Sequence, residues 1–134
     1  MIVAEIVVLE KRPRWSPELH RQFQNEDVVV RACRDVSSLR ERITTAGMSQ
    51  KHCIVVLDPA GWPGECLPVI SWLRGLEIHV VATGYAGIEL LEPSLRELGV
   101  TVLLLPPVTG QEIGDACRRL LTQHPVQSRK TGSR

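Results

Sequence analysis

The chain has 134 residues, a length typical of one domain, and its 16 Lys and Arg against 15 Asp and Glu give a formal net charge of +1. This balance gives no electrostatic reason to expect a nucleic acid or an anionic membrane as partner. Hydrophobic residues at 43% and charged residues at 23% are typical of a soluble globular protein, and they exclude an intrinsically disordered chain.

The beginning of the chain has none of the features of a targeting segment. Residues 1–9 are apolar, but they include Glu5 and lack a basic leader, so no signal peptide is expected. No apolar run approaches the roughly 18 to 20 residues that a membrane-spanning helix needs. We therefore expect a cytoplasmic protein that does not bind a membrane.

The cysteines are too widely spaced to suggest a metal site or a redox motif. They are Cys33, Cys53, Cys66 and Cys117. No CxxC pair occurs, and the four histidines do not supply the close spacing of metal ligands. We expect reduced thiols packed in the core.

Five short runs rich in β-branched residues predict five strands. They cover residues 2–9, 27–33, 53–58, 78–83 and 100–105. The runs are nearly continuous in their hydrophobicity, which is typical of parallel strands covered on both faces.

Each strand is followed by a segment with helical signals. Ser16 as N-cap, Pro17 at the first helical position and Glu18 in the first turn predict the start of the first helix. Thr109 and Glu112 fit a capping box at the start of the last one. The helices are predicted over about 16–24, 36–46, 67–74, 88–98 and 110–123.

Two local features of these helices stay open. Either Asp35 or Ser37 can cap the second helix, which is expected to stop at Gly47. Pro93 is expected either to shorten or to kink the fourth helix.

The order of elements, a strand followed by a helix five times over, predicts an α/β fold. Right-handed crossovers of this length give a doubly wound, five-stranded parallel sheet in a three-layer α/β/α sandwich. The strand order 2-1-3-4-5, as in flavodoxin-like folds, is expected. This domain covers residues 1–123, and the polar, basic residues 124–134 are expected to be a disordered tail.

Functional residues in such a sheet lie at the carboxyl ends of the strands, near the switch between strands 1 and 3. Glu10 and Lys11 follow the first strand, Asp58 ends the third and Thr83 ends the fourth. The dipeptide Pro106–Pro107 follows the fifth. An Asp with a hydroxyl nearby at this edge could be a phosphoacceptor, and it could equally cap a loop.

These segments resemble those of response-regulator receiver domains, and the resemblance covers residues 2–123. In VVLDPAGWPG, Asp58 matches the phosphoacceptor of the family. In VVATG, Thr83 matches the residue that contacts the phosphoryl group. In LLLPPVTGQEI, Pro107 matches the family proline that follows a cis peptide bond.

Two departures from the family pattern affect its phosphorylation site. The family has two adjacent acids after the first strand, which hold Mg²⁺, whereas this chain has Glu10 and Lys11. The lysine that pairs with the phosphoryl group in the family is Pro106 here. Mg²⁺ prefers carboxylate oxygens, and phosphoryl transfer needs charge neutralisation, so both changes weaken that chemistry. We expect no cofactor, and Glu10 and Asp58 would be the ligands if Mg²⁺ did bind.

The resemblance implies a degenerate receiver that is not an enzyme. It would act in bacterial two-component signalling without phosphorylation, through a protein partner or a second copy of itself. The expected contact face is formed by the fourth helix, the fifth strand and the fifth helix. The charged residues assigned to that face are Glu92, Arg96, Glu97, Arg118 and Arg119. Their mixed signs suit a self-complementary dimer.

Two other functions remain possible from the sequence. The first is a working phosphoacceptor, with Asp58 as nucleophile, Thr83 as phosphoryl contact and Lys11 as charge partner. The second is a small-ligand-binding or enzymatic domain on the same topology, although the chain has no GxGxxG motif and no GxxxxGK[ST] motif.

Overall fold

The computed structural model describes residues 4–45, 53–85 and 87–122, and within them the predicted strands form one sheet. The strands are β1 (Ala4–Leu9), β2 (Val28–Cys33), β3 (Cys53–Leu57), β4 (His79–Thr83) and β5 (Val102–Leu104). All adjacent strands are parallel, in the order β2-β1-β3-β4-β5. The predicted strand order is therefore confirmed.

The helices lie on both faces of this sheet. They are α1 (Trp15–Gln22), α2 (Val36–Thr45), α3 (Cys66–Gly75), α4 (Glu92–Leu98) and α5 (Gly110–Leu121). The apolar residues of α2, α3 and α4 share one core cluster, and those of α1 and α5 share the other. The three-layer α/β/α sandwich is confirmed.

The central strand β1 supplies side chains to both clusters. Val7 and Leu9 belong to the cluster under α2, α3 and α4, whereas Ile6 and Val8 belong to the cluster under α1 and α5. Successive side chains of a strand point to opposite faces, so a strand covered on both faces needs apolar residues at every position. This explains the unbroken hydrophobic runs in the sequence.

The start of α1 differs from the prediction. The helix begins at Trp15, so Ser16 lies inside it, and the N-cap residue Arg14 makes no side-chain capping bond. The prediction of Ser16 as N-cap is wrong because a side chain from outside the helix, described below, accepts the free N–H groups.

The structure shows which residue caps α2 and where Pro93 lies relative to α4. The Asp35 carboxylate accepts the backbone N–H of Ser38 at 2.7 Å, so Asp35 provides the cap of α2. The predicted fourth helix is divided into a 3-10 turn, Ile88–Leu91, and α4. Pro93 lies in the first turn of α4, where its missing N–H costs no helical hydrogen bond.

The capping box at the start of α5 is confirmed. The N–H of Glu112 donates to Thr109 Oγ1 at 3.1 Å, and the N–H of Thr109 donates to the Glu112 carboxylate at 2.9 Å. Both bonds satisfy N–H groups that the first helical turn leaves without partners.

All four cysteines are free and buried, as the sequence predicted. The expected tail, 124–134, and the expected helix stop at Gly47 lie outside the described residues. In the described part of the chain, no helix is long and apolar enough to cross a membrane.

Candidate functional site

A cavity of about 260 Å³ lies at the carboxyl ends of β1 and β3. The sheet order reverses between these two strands, and this is where ligands bind in open α/β sheets. The cavity is lined by Glu10, Lys11, Arg12, Arg14, Trp15, Asp58, Gly61 and Trp62. Most of these residues come from the β1–α1 loop and from the loop after β3.

Glu10 holds the first turn of α1. Glu10 is only 8% exposed, and its carboxylate accepts the backbone N–H groups of Arg14, Trp15 and Ser16 at 3.0 to 3.1 Å. These are the N–H groups that a helix start leaves without partners, and a carboxylate there also interacts favourably with the helix dipole. Glu10 therefore does the capping that the sequence assigned to Ser16.

Lys11 lies against an aromatic ring. Its Nζ is 5.6 Å from the ring centroid of Trp62, a cation–π distance. Trp62 is 5% exposed, and its ring belongs to the core cluster under α2, α3 and α4. Among the described ion pairs, none joins Lys11 to Asp58.

Asp58 follows β3 directly and is half-buried. Its Oδ1 accepts the backbone N–H of Ala60 at 3.0 Å and so caps the 3-10 turn Pro59–Gly61. This is the loop-capping role that the sequence left open beside the phosphoacceptor role. The phosphoacceptor role stays a prediction.

Thr83 and the two prolines lie apart from the cavity walls. Thr83 is the buried last residue of β4. The Pro106–Pro107 peptide bond is cis, as the resemblance implied. None of the three lines the cavity. The structure thus brings Glu10, Lys11 and Asp58 together around one space, and it leaves Thr83, Pro106 and Pro107 outside that set.

The donor set does not fit Mg²⁺. Both oxygens of Glu10 already accept backbone N–H groups, and one oxygen of Asp58 accepts another. Mg²⁺ requires near-octahedral oxygen ligands, and Lys11 would add a positive charge beside it. In the described ranges, no group of three or more His, Cys, Asp and Glu could hold a metal.

Sequence reasoning did not assign Arg12, Arg14 and Gly61 to the site. The signal that could have found the arginines is the run EKRPRW, which places three cations in the loop that follows the first strand at the switch point. The position of Trp62 beside Lys11 depends on how two distant loops meet, so no local pattern shows it.

Arg118, one of the residues assigned to the expected contact face, contacts the α1 side of the molecule. Its guanidinium pairs with Glu26 at 2.6 Å, donates to the backbone oxygen of Gln22 and lies over the ring of Phe23. It therefore joins α5 to α1 and to the segment that follows α1, and the contact face itself stays a prediction. Arg96, which was assigned to that face, pairs with Glu92 one helical turn away at 2.8 Å.

Comparison with solved structures identifies the fold. A response-regulator receiver domain from Clostridium thermocellum superposes with a TM-score of 0.73 at 13% identity, covering 88% of this chain and 94% of that one. The receiver domain of the TMAO respiratory response regulator TorR gives 0.73 at 19% identity, with 88% and 96% covered. This chain has the receiver-domain fold.

A third receiver-fold structure agrees with this result. A response regulator from Thermotoga maritima gives a TM-score of 0.72 at 13% identity, with 90% of this chain and 99% of that chain covered. No protein-family model matches the sequence, and no curated protein matches it. The receiver fold is thus formed here by a sequence only 13 to 19% identical to those of the three structures.

Proposed function

We propose that this receiver-fold chain is a signalling module that acts through protein contacts and is not phosphorylated on Asp58. The observation that carries the proposal is the use of Glu10 as a helix cap. A phosphoacceptor pocket needs acidic oxygens free to hold a metal, and the Glu10 carboxylate is engaged by three backbone N–H groups.

The remaining groups around Asp58 support the same proposal. Lys11 replaces the second acid, and its Nζ lies against Trp62. Pro106 has no side-chain donor to neutralise a phosphoryl group. A metal ion and a lysine at position 106 would align the phosphoryl donor with Asp58, and without that alignment phosphoryl transfer is inefficient.

Acetyl phosphate tests this proposal directly. We expect no gain of phosphoryl mass when the full chain is incubated with acetyl phosphate and Mg²⁺ and then measured by intact mass spectrometry. A receiver domain that accepts phosphoryl groups, treated in parallel, shows that the reagent is active.

Two variants make the outcome decisive. Asp58→Ala removes the candidate acceptor, and Asp115→Ala removes an exposed carboxylate of α5 as a matched control. A phosphoryl gain that disappears in Asp58→Ala and persists in Asp115→Ala would establish the working phosphoacceptor and overturn the proposal.

A further inference from the structure

We propose that a second cavity, at the amino ends of β4 and β5, binds a small zwitterion of the size of a free α-amino acid. This cavity measures about 250 Å³ and lies at the edge of the sheet opposite to Glu10 and Asp58. Its charged lining residues are Arg74, Glu77 and Arg96. The inference goes beyond the proposed function, because none of these three residues belongs to the surroundings of Asp58.

Two guanidinium groups are held at this cavity by backbone oxygens. Arg74 lies in the last turn of α3, and Arg96 lies in the last turn of α4. Arg74 Nη1 donates to the backbone oxygen of Glu97, and Arg96 Nη1 donates to that of Thr101 at 3.4 Å. Among the described hydrogen bonds, none uses the Nη2 group of either arginine, so each guanidinium keeps N–H donors for a carboxylate.

Gly99 allows the Arg74 side chain to lie against the end of α4. Gly99 has a φ of +136°, and a Cβ atom at this position would be 2.8 Å from the Cβ of Arg74. Any larger residue would displace the arginine, so the glycine determines where Arg74 lies. A side chain that is already held by packing loses less conformational entropy when it binds a ligand.

Glu77 places a carboxylate on the same cavity from an unfavourable backbone position. It follows the C-cap residue of α3 and has a φ of 62°, the left-handed conformation that glycine adopts most easily. Among the described residues other than glycine, no other has a positive φ. Such conformations are common at functional sites, where another requirement outweighs their conformational cost. The requirement we infer here is the negative charge of Glu77.

The charges around the cavity favour a zwitterion over a simple ion. Arg96 pairs with Glu92 at 2.8 Å, whereas no described ion pair includes Arg74 or Glu77. With His79 counted as neutral, two positive and two negative charges therefore balance. Glu77 would repel a simple anion, and Arg74 would repel a simple cation. An amino acid satisfies both groups, with its carboxylate at the guanidinium groups and its ammonium at Glu77.

The size and the apolar lining of the cavity limit the ligand further. Its volume lies below the roughly 300 to 1,000 Å³ of pockets for drug-sized molecules, so a single amino acid fits it better than a nucleotide does. Ile78 and Val100 also line the cavity, and they are part of the core beneath it. They offer an apolar contact to an aliphatic side chain, and leucine is therefore the probe.

An NMR titration of the isotope-labelled full chain with L-leucine tests the site. We expect the backbone N–H signals of Gly99 and Thr101 to move to saturation. The signal of Gly61, at the opposite edge of the sheet, is the internal control and should not move. N-acetyl-L-leucine lacks the ammonium group and L-leucinamide lacks the carboxylate, and each should bind at least about five-fold more weakly than leucine.

Three variants assign the binding to the charged residues. Arg74→Gln and Glu77→Gly should each weaken leucine binding about five-fold, and Arg119→Gln, which removes an exposed cation of α5, should leave it unchanged. Glu77→Gly should also raise the urea midpoint of unfolding, since glycine adopts the positive φ without steric cost. Weaker binding by a more stable protein cannot result from unfolding.

Three outcomes would overturn the proposal. The first is the absence of a saturable shift at Gly99 and Thr101, or an equal shift at Gly61. The second is binding of N-acetyl-L-leucine or L-leucinamide as tight as that of leucine, which would indicate a site for a simple ion. The third is unchanged leucine binding in Glu77→Gly.

Discussion

The carboxylate of Glu10 combines two roles that the sequence did not show together. It stands where the receiver family has a metal-binding acid, and in this fold it accepts the N–H groups of Arg14, Trp15 and Ser16. Glutamate is one methylene longer than aspartate. The Glu10 carboxylate reaches the first turn of α1, which begins five residues later in the chain. The residue at the position of the family's metal-binding acid thus caps a helix in this chain.

Replacing Glu10 should therefore cost stability. We expect Glu10→Ala to lower the free energy of unfolding by about 2 to 3 kcal/mol, because hydrogen bonds to a charged group contribute about 1.5 to 3 kcal/mol and the Trp15 N–H is left buried without an acceptor. Urea denaturation measures the change. Glu41→Ala, at an exposed position of α2, is the control and should change stability by less than about 0.5 kcal/mol.

An equal effect of Glu10→Ala and Glu41→Ala would show that the three hydrogen bonds contribute little in solution. The Glu10→Gln variant refines the measurement, since a neutral amide keeps one accepting oxygen. The free energy of unfolding of Glu10→Gln should lie between that of Glu10→Ala and that of the unchanged protein.

At the scale of secondary-structure elements, several exposed apolar residues lie in the chain segments just before α4 and just after β5. Leu90 of the turn before α4 is 83% exposed, and Leu91, Leu105 and Tyr85 are also exposed. The N–H of Gly84 donates to the backbone oxygen of Leu104 at 2.7 Å, which holds the segments after β4 and before the two prolines together. We call these four residues the apolar edge: three of them precede the charged helix α4 in the chain, and Leu105 follows β5.

We predict that this apolar edge is the contact face of a symmetric dimer. The alternating charges of α4 next to it suit a self-complementary surface. Leu90→Asp should weaken the dimer at least about ten-fold, because it places an unpaired charge in the apolar contact. Sedimentation velocity over a range of concentrations measures the dissociation constant.

Leu76→Asp is the matched control, since Leu76 is exposed at the C-terminal end of α3, at the opposite end of the sheet from Leu90. It should leave the dimer unchanged. A wild-type chain that stays monomeric at every concentration would contradict the dimer.

At the scale of the whole molecule, the two core clusters isolate the thiols. Cys53 and Cys117 are buried in different clusters, one on each face of the sheet. Burial raises the pKa of Cys53 to about 12 and that of Cys117 to about 12. Burial also raises the pKa of Cys33 and of Cys66. The thiolate is the reactive form, so all four cysteines should be inert in the native fold.

Thiol labelling measures this isolation. At pH 8 a maleimide should label all four cysteines in denaturant and almost none in the native protein. The labelling rate of Cys53 and Cys117 should follow the population of globally unfolded chains, because both side chains lie in the interior. Rapid native labelling of either one, located by peptide mass spectrometry, would show that the core opens locally.

Local patterns were enough to predict much of the fold. Unbroken apolar runs predicted strands covered on both faces, and the regular alternation with helices favoured a parallel sheet of order 2-1-3-4-5, which is the order observed. The capping box at Thr109 was also readable, because both of its partners lie within four residues of each other. Asp58 at the end of β3 followed from the same strand pattern.

The sequence by itself determined the strands, the topology and the edge of the sheet where the polar residues of the site lie, since these depend on hydrophobicity and on short-range spacing. Only the tertiary structure decided what those polar groups do. Glu10 turns back to cap α1, Lys11 meets Trp62 from another loop, and Arg118 crosses to Glu26. The physical reason is that a long side chain can reach several partners, and the packing of distant segments selects among them.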